Sequence, residues 1–201
     1  MQAFATAPPS PALLPFSGPR PVPLRLAATP AQRREIRRFL GRVNFAVSAA
    51  ARRGWCFNAD SQRDLRWCYG EDLRRLRFSS DLSRDVFAAA ARHLKAGLGF
   101  PDKLPPDSPF RLSSRLYTVS RGCVGVRVGS GWLHCPVEDP DALGGMVVLR
   151  EQRAELRPDG DGFVLEVPAT PVVGPRFVPP GGGDPADDRA RFVFQADVLL
   201  T

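Results

Sequence analysis

Lysine is nearly absent from this chain: Lys95 and Lys103 are the only two among 28 basic residues, and the remaining 26 are arginines. Histidine is as scarce, with His93 and His134 alone. Neither has an Asp or Ser at motif spacing, so a hydrolase triad is unsupported and no catalytic residue is assigned. The four cysteines form two pairs, Cys56/Cys68 and Cys123/Cys135, each twelve positions apart. Structural zinc sites use short C-x2-4-C knuckles, and none occurs, so buried free thiols are expected and neither metal nor cofactor is assigned. The second pair has the spacing to meet across a hairpin. No apolar run reaches eighteen residues, which argues against a membrane-spanning helix. Met1 to Pro23 lacks a charged n-region followed by an unbroken apolar stretch, so no signal peptide is expected. With few cysteines and no secretory signal, the expected location is a bacterial cytoplasm, with association to the nucleoid left open.

What is present suits one globular domain: 201 residues, 43% of them hydrophobic, with a net charge of +7. Arg, Ala, Gly and Pro are all abundant, as in products of GC-rich genomes, so composition alone proves little. It does allow a surface attractive to polyanions, with guanidinium forks suited to phosphate contacts and to stacking on bases.

Residues 1–20 read as a disordered Pro-rich lead-in. Pro21 to Ala27 alternate as a short strand. Thr29-Pro30 is a helix start, an N-cap followed by a proline pre-shaped for the first helical position. The helix is expected to run to Arg53, with Ile36, Leu40, Val43, Val47 and Ala50 as its apolar seam. A second helix begins near Asp60 or Ser61 with Leu65, Tyr69, Leu73 and Leu76 on one face. A third follows Ser79-Ser80 with Leu82, Val86, Ala90 and Leu94, and stops at Gly97 and Gly99. Strand-like segments follow: Arg115–Ser120, Cys123–Val128, Trp132–Pro136, Met146–Glu151, Arg153–Arg157 and Phe163–Pro168. Gly129-Ser130-Gly131 and Asp159-Gly160-Asp161-Gly162 are hairpin turns; the latter lacks the further acids of a calcium loop. Gly181–Gly183 has no following Lys-Ser/Thr and is a linker, not a phosphate cradle. The fold class is α+β: an antiparallel β-barrel (21–29 and 101–172) with a three-helix insertion (30–100) after its first strand, a Pro/Gly-rich linker (173–190) and a terminal strand (191–201).

The arginines cluster. Arg33, Arg34, Arg37, Arg38 and Arg42 lie outside the seam of the first helix; Arg52 and Arg53 end it; Arg74, Arg75 and Arg77 end the second. In the sheet, Arg115, Arg121 and Arg127 accompany Tyr117. Guanidiniums that bind phosphates beside rings that stack on unpaired bases suit RNA or single-stranded DNA. Arginines at helix C-termini also complement the helix dipole, and Trp55, Trp67 and Trp132 are expected to pack in the core or at its boundary.

The run PLRLAATPAQRREIRRFLGRVNFAVSAAA, with Leu24–Leu26 before Thr29-Pro30-Ala31-Gln32 and a late Asn44, resembles the N-terminal segment of the TnpB/OrfB proteins of insertion sequences, relatives of type V CRISPR effectors. Tyr69 before Leu73-Arg74, DLSRDVFAAAARHLKA and RLYTVSRGCVGVRV-GSG-WLHCPV extend the likeness over about residues 22–172. The resemblance implies a wedge-type barrel interrupted by a helical recognition region that grips guide RNA and target-adjacent DNA. It departs where the family's RuvC-like nuclease would bring a metal-binding Asp: Pro171 to Arg176 contains none, and a two-metal site needs several converging carboxylates. The expectation is a non-enzymatic nucleic-acid-binding protein lacking that nuclease domain. The alternative is an adaptor whose catalytic part is on another chain; a nuclease acting through Asp81, Glu151 and Glu155 is the third reading.

Overall fold

The computed structural model describes residues 18–97, 99–120, 122–129 and 131–171. In chain order they form β1 (Arg20–Arg25), α1 (Pro30–Cys56), α2 (Gln62–Arg75), α3 (Ser80–Ala96), β2 (Phe110–Leu112), β3 (Tyr117–Ser120), β4 (Cys123–Val128), β5 (Gly131–Pro136), β6 (Met146–Val148), β7 (Ala154–Asp159) and β8 (Gly162–Pro171). The fold is α+β, with three helices between the first strand and the rest. The expected linker over 173–190 and terminal strand over 191–201 lie outside the described residues.

Local chemistry starts and stops the helices. Thr29 Oγ1 accepts from the Gln32 N–H while Gln32 Oε1 accepts from the Thr29 N–H, a reciprocal capping box with Pro30 behind it. Gln32 also reaches out of the helix, its Nε2 donating to the His134 carbonyl of β5 at 2.7 Å. Ser61 and Ser79 cap α2 and α3 without a reciprocal partner, their hydroxyls accepting from the Asp64 and Leu82 N–H groups. α1 ends later than expected because Asn58 takes a left-handed conformation (φ 52°), and the Ala59 and Asn58 N–H groups donate to the Gly54 and Trp55 carbonyls. That is a Schellman closure.

The strands form two antiparallel sheets. One has the order β1-β8-β7-β2, with β6 pairing the far end of β8; the other is β3-β4-β5. They join at one corner, where Leu26 bridges Val137, the Ala27 N–H donates to Pro136 O and the Glu138 N–H donates to Arg25 O. The described residues thus form two sheets, and no closed barrel is found among them. Among the described residues β3 and β6 do not pair but border a groove. β2 was not foreseen, since three residues emerging from the prolines at 101–109 carry too little alternation to stand out. The 159–162 turn is a two-residue hairpin with Gly160 at φ 57°. Cys123 and Cys135 do not face each other: Cys135 pairs with Val124 and Cys123 with Pro136, which places the thiols on opposite faces. All four cysteines are free, and burial pushes the Cys135 thiol above its usual range.

One core runs through helices and sheets. Ile36, Leu40, Val43, Val47 and Ala50 of α1 are at most 1% exposed and meet Leu65 and Leu73 of α2, Val86 and Ala90 of α3, and Leu112, Leu156 and Leu165 of the first sheet. Phe39 packs edge-on against Phe110, 6.4 Å between centroids. The helical stretch is thus no separate domain, since its seam is completed by strand residues.

Buried polar groups fasten the loop between α3 and β2. Asn44, 1% exposed, donates from Nδ2 to the Pro106 and Ser108 carbonyls at 3.2 and 2.9 Å. Ser48 Oγ donates to the Asn44 carbonyl and accepts from the Leu104 N–H. Asp85 of α3, also 1% exposed, accepts from the Ser113 N–H at 2.7 Å through Oδ2. Its Oδ1 lies 3.1 Å from Arg153 Nη2 but off the hydrogen-bonding direction, so charge attraction acts there without a formed bond.

This packing makes substitutions at Asn44 and Gly54 testable. Asn44→Ala orphans two carbonyls and should cost about 1–3 kcal/mol in urea unfolding. Asn44→Asp should cost more at neutral pH, because a carboxylate facing two carbonyls cannot donate, and the deficit should shrink as pH falls through its raised pKa. Gly54→Ala inverts the usual helix preference: an added Cβ would sit 2.6 Å from the Ala59 carbonyl oxygen and 2.4 Å from Leu65 Cδ2. Thermal unfolding should show a clear loss instead of the gain of about 1 kcal/mol expected at an open helical site.

Candidate nucleic-acid interface

Burial of the α1 seam decides where its arginines point. Arg34, Arg38, Phe45 and Arg52 follow one another at steps of four, seven and seven residues, so they lie in one row along the exposed side of the helix. Arg33 and Arg37 lean toward the sheet, each 3.5 Å from the Asp161 carbonyl in the β7–β8 turn. Arg42 and Arg53 lean toward α2: Arg42 donates to the Leu76 carbonyl at 2.9 Å, and Arg53 approaches Asp72 at 3.3 Å. The first arginine cluster is therefore divided among three directions; in the middle row Arg34 is exposed with no partner among the described residues, Arg38 pairs with Glu35, and Arg52 donates to the Pro101 carbonyl at 3.2 Å.

Aromatic rings accompany these guanidiniums. Arg42 lies 5.3 Å from the centroid of Phe78, Arg52 5.3 Å from Phe100 and Arg53 5.9 Å from Phe57, all within cation–π range. Phe45 is 54% exposed in the row itself, and with Arg38, Arg42 and Phe78 it borders a shallow groove of about 260 Å³. Sequence reasoning singled out the arginines but not Phe45, Phe57, Phe78 or Phe100. For Phe45 the signal was available, because it stands seven residues from both Arg38 and Arg52, opposite the seam.

Of the tryptophans expected in the core or at its boundary, Trp67 corrects that expectation. Trp67 is 83% exposed, and Trp55 and Trp132 are exposed as well. On α2, Arg63, Trp67 and Arg74 lie at steps of four and seven, a second row of mixed charge and aromatic surface. Arg74 and Arg75 share Glu71 at 2.5 and 3.8 Å. Such exposed pairs hold a side chain only weakly.

Arg77 is in the left-handed region, φ 55°, and closes α2 with the Phe78 N–H donating to Leu73 O and its own N–H to Arg74 O. Glycine or asparagine normally fills that position, so a β-carbon there carries strain.

In the sheet the predicted residues separate. Tyr117 is 4% exposed, with its hydroxyl 3.4 Å from the Gln152 carbonyl, and burial raises its pKa. Its ring faces the core, which corrects its assignment as a base-contacting residue: strand register turned it inward. Arg115 is exposed and 3.4 Å from Asp81; Arg127 is half-buried opposite Trp132. Arg121 lies outside the described residues. A cluster not foreseen gathers Arg92, Arg111 and Arg153 about Asp85 and Glu155; the Arg92 guanidinium titrates lower than usual, first through burial and then through Arg111 and Arg153.

No protein-family model matches the chain, and no curated protein matches it. Among the described residues no helix is long and apolar enough to cross a membrane.

Arg77→Gly is the informative variant here. Relief of the left-handed strain should raise unfolding stability by about 1 kcal/mol, while affinity for a single-stranded oligonucleotide should fall, measured on the same preparation. A loss of stability would show that the side chain is held for packing.

Proposed function

We propose that the chain is a non-catalytic nucleic-acid-binding protein that holds an unpaired stretch of RNA or DNA along the exposed side of α1. The observation that carries this reading is the row Arg34, Arg38, Phe45 and Arg52, flanked by guanidinium–phenyl pairs at Phe78 and Phe100. Guanidiniums neutralise phosphates, exposed phenyl faces accept bases, and each stacked base contributes about 1–3 kcal/mol. The finer parts of the reading belong with it: membership of the TnpB/OrfB group, the two sheets as a wedge-like barrel, α1 to α3 as its recognition insertion, and a guide-like RNA as ligand. The element order and the Thr29–Gln32 capping box at the "TP-x-Q" start support them.

A second reading, an adaptor for an effector on another chain, is favoured by one feature. Trp67 is 83% exposed on an ordered helix, a cost that a protein partner would offset.

Fluorescence anisotropy with a labelled single-stranded RNA over a salt series tests the first reading. Binding should weaken steeply with salt, and Arg38→Gln with Arg42→Gln should lower the slope of log K against log salt by about 1.4, at about 0.7 per phosphate contact. Phe45→Ala should weaken binding about fivefold or more and leave the slope unchanged. Salt-independent binding, or none, would overturn it. If Trp67→Ala releases a co-purifying protein and spares RNA affinity, the adaptor reading holds for α2.

A further inference from the structure

The groove between the two sheets has a strand edge on each side. It holds about 750 Å³ and is bordered by β3, by β6 and by the loop through Pro140 to Gly144. The Arg127 N–H donates to Leu116 O, so the antiparallel alternation turns the Thr118 and Ser120 backbone groups toward β4 and leaves those of Tyr117 and Val119 directed away from it. On the other side, the Leu149 N–H donates to Pro168 O and Val147 pairs with Thr170, which leaves the Val148 N–H and C=O directed away from β8. Two unpaired edges thus border one gap. Open edges of this kind are normally covered or paired, and a single added strand would serve both.

We propose that Arg191–Leu199 of the same chain enters this groove as an extended strand and joins the two sheets into a closed barrel. Three observations select this occupant. Every second residue makes one wholly apolar side, Phe192, Phe194, Ala196 and Val198, while Arg191, Val193, Gln195, Asp197 and Leu199 make a mixed one. One side of the groove is matched to such a face, since Val119, Leu143, Met146 and Val148 are partly buried hydrophobics packed against the core. The chain also leaves β8 at the groove: Pro171, the last residue of β8, pairs with Met146, itself a groove residue. Residues 172–190 connect that point to the segment, and such a tether raises its effective concentration to the millimolar range, roughly, before any contact forms. Arg150 on the groove has no carboxylate within ion-pair distance among the described residues, and Asp197 supplies one.

Hydrogen–deuterium exchange on the full chain, on a chain ending at Ala190 and on full-length Val193→Pro/Phe194→Pro tests the proposal. Prolines remove ladder donors for both edges without shortening the chain, so a folded comparison remains if the truncation does not fold. In the full chain, peptides covering 116–120 and 146–149 should exchange at least about tenfold more slowly than in either variant, and a synthetic 189–201 peptide should restore protection to the truncated chain. Equal exchange in all three proteins overturns the proposal. Protection that rises with protein concentration overturns it in favour of a strand from a second copy, and protection that appears only with added RNA overturns it in favour of a nucleic-acid groove.

Discussion

Burial of a single stripe on α1 is the constraint on which the rest of the structure depends. Ile36, Leu40, Val43, Val47 and Ala50 are removed from water between α2, α3 and the first sheet, and at about 1.5–3 kcal/mol for each large side chain this outweighs any local preference in the helix. Once that stripe is fixed, the rotation of every other α1 side chain is fixed with it. The arginines that follow are displayed because the seam leaves them no other side.

Rotation alone leaves the helix free to slide, and polar contacts remove that freedom. Gln32 sets where α1 begins and binds the β5 backbone in the same geometry, so the helix start is registered against the second sheet. Twelve residues on, Asn44 registers it against the Pro-rich loop that leads to β2. Both are amides whose oxygen or nitrogen would be costly to bury unpaired. They act as alignment devices, and the late Asn of the helix thereby has a structural explanation independent of any ligand.

Features decided within a few residues were legible in the sequence. Thr29-Pro30, Ser61 and Ser79 begin helices because caps act locally, and the glycines at 129–131 and 159–162 turn hairpins for the same reason. What depended on distant partners was not. Tyr117 reads as a ring beside arginines, but its strand register, set by pairing with Val126, turns it inward. Trp67 reads as core or boundary and is outside, because Leu65, Tyr69 and Leu73 already fill the buried face of α2. The arginine positions were legible, whereas the phenyl rings beneath them come from α1, the α2–α3 turn and the loop after α3, and only folding brings these together.

The same distinction between partners determines which arginines contribute a field. Arg38, Arg53, Arg74, Arg75 and Arg115 lie beside carboxylates, which cancel most of their charge at a distance. Arg33, Arg37, Arg42 and Arg52 bind carbonyl oxygens, which orient the guanidinium and leave its full charge uncompensated. Arg34 on α1 and Arg77 at the end of α2 have neither kind of partner among the described residues. The uncompensated positive charge therefore follows α1 more than the end of α2, although both carry arginine runs of similar density. A phosphate backbone responds to that summed field before it meets any single side chain. On the proposed reading, a nucleic acid would be drawn first to α1, where the carbonyl-anchored Arg42 and Arg52 already lie near the Phe78 and Phe100 rings.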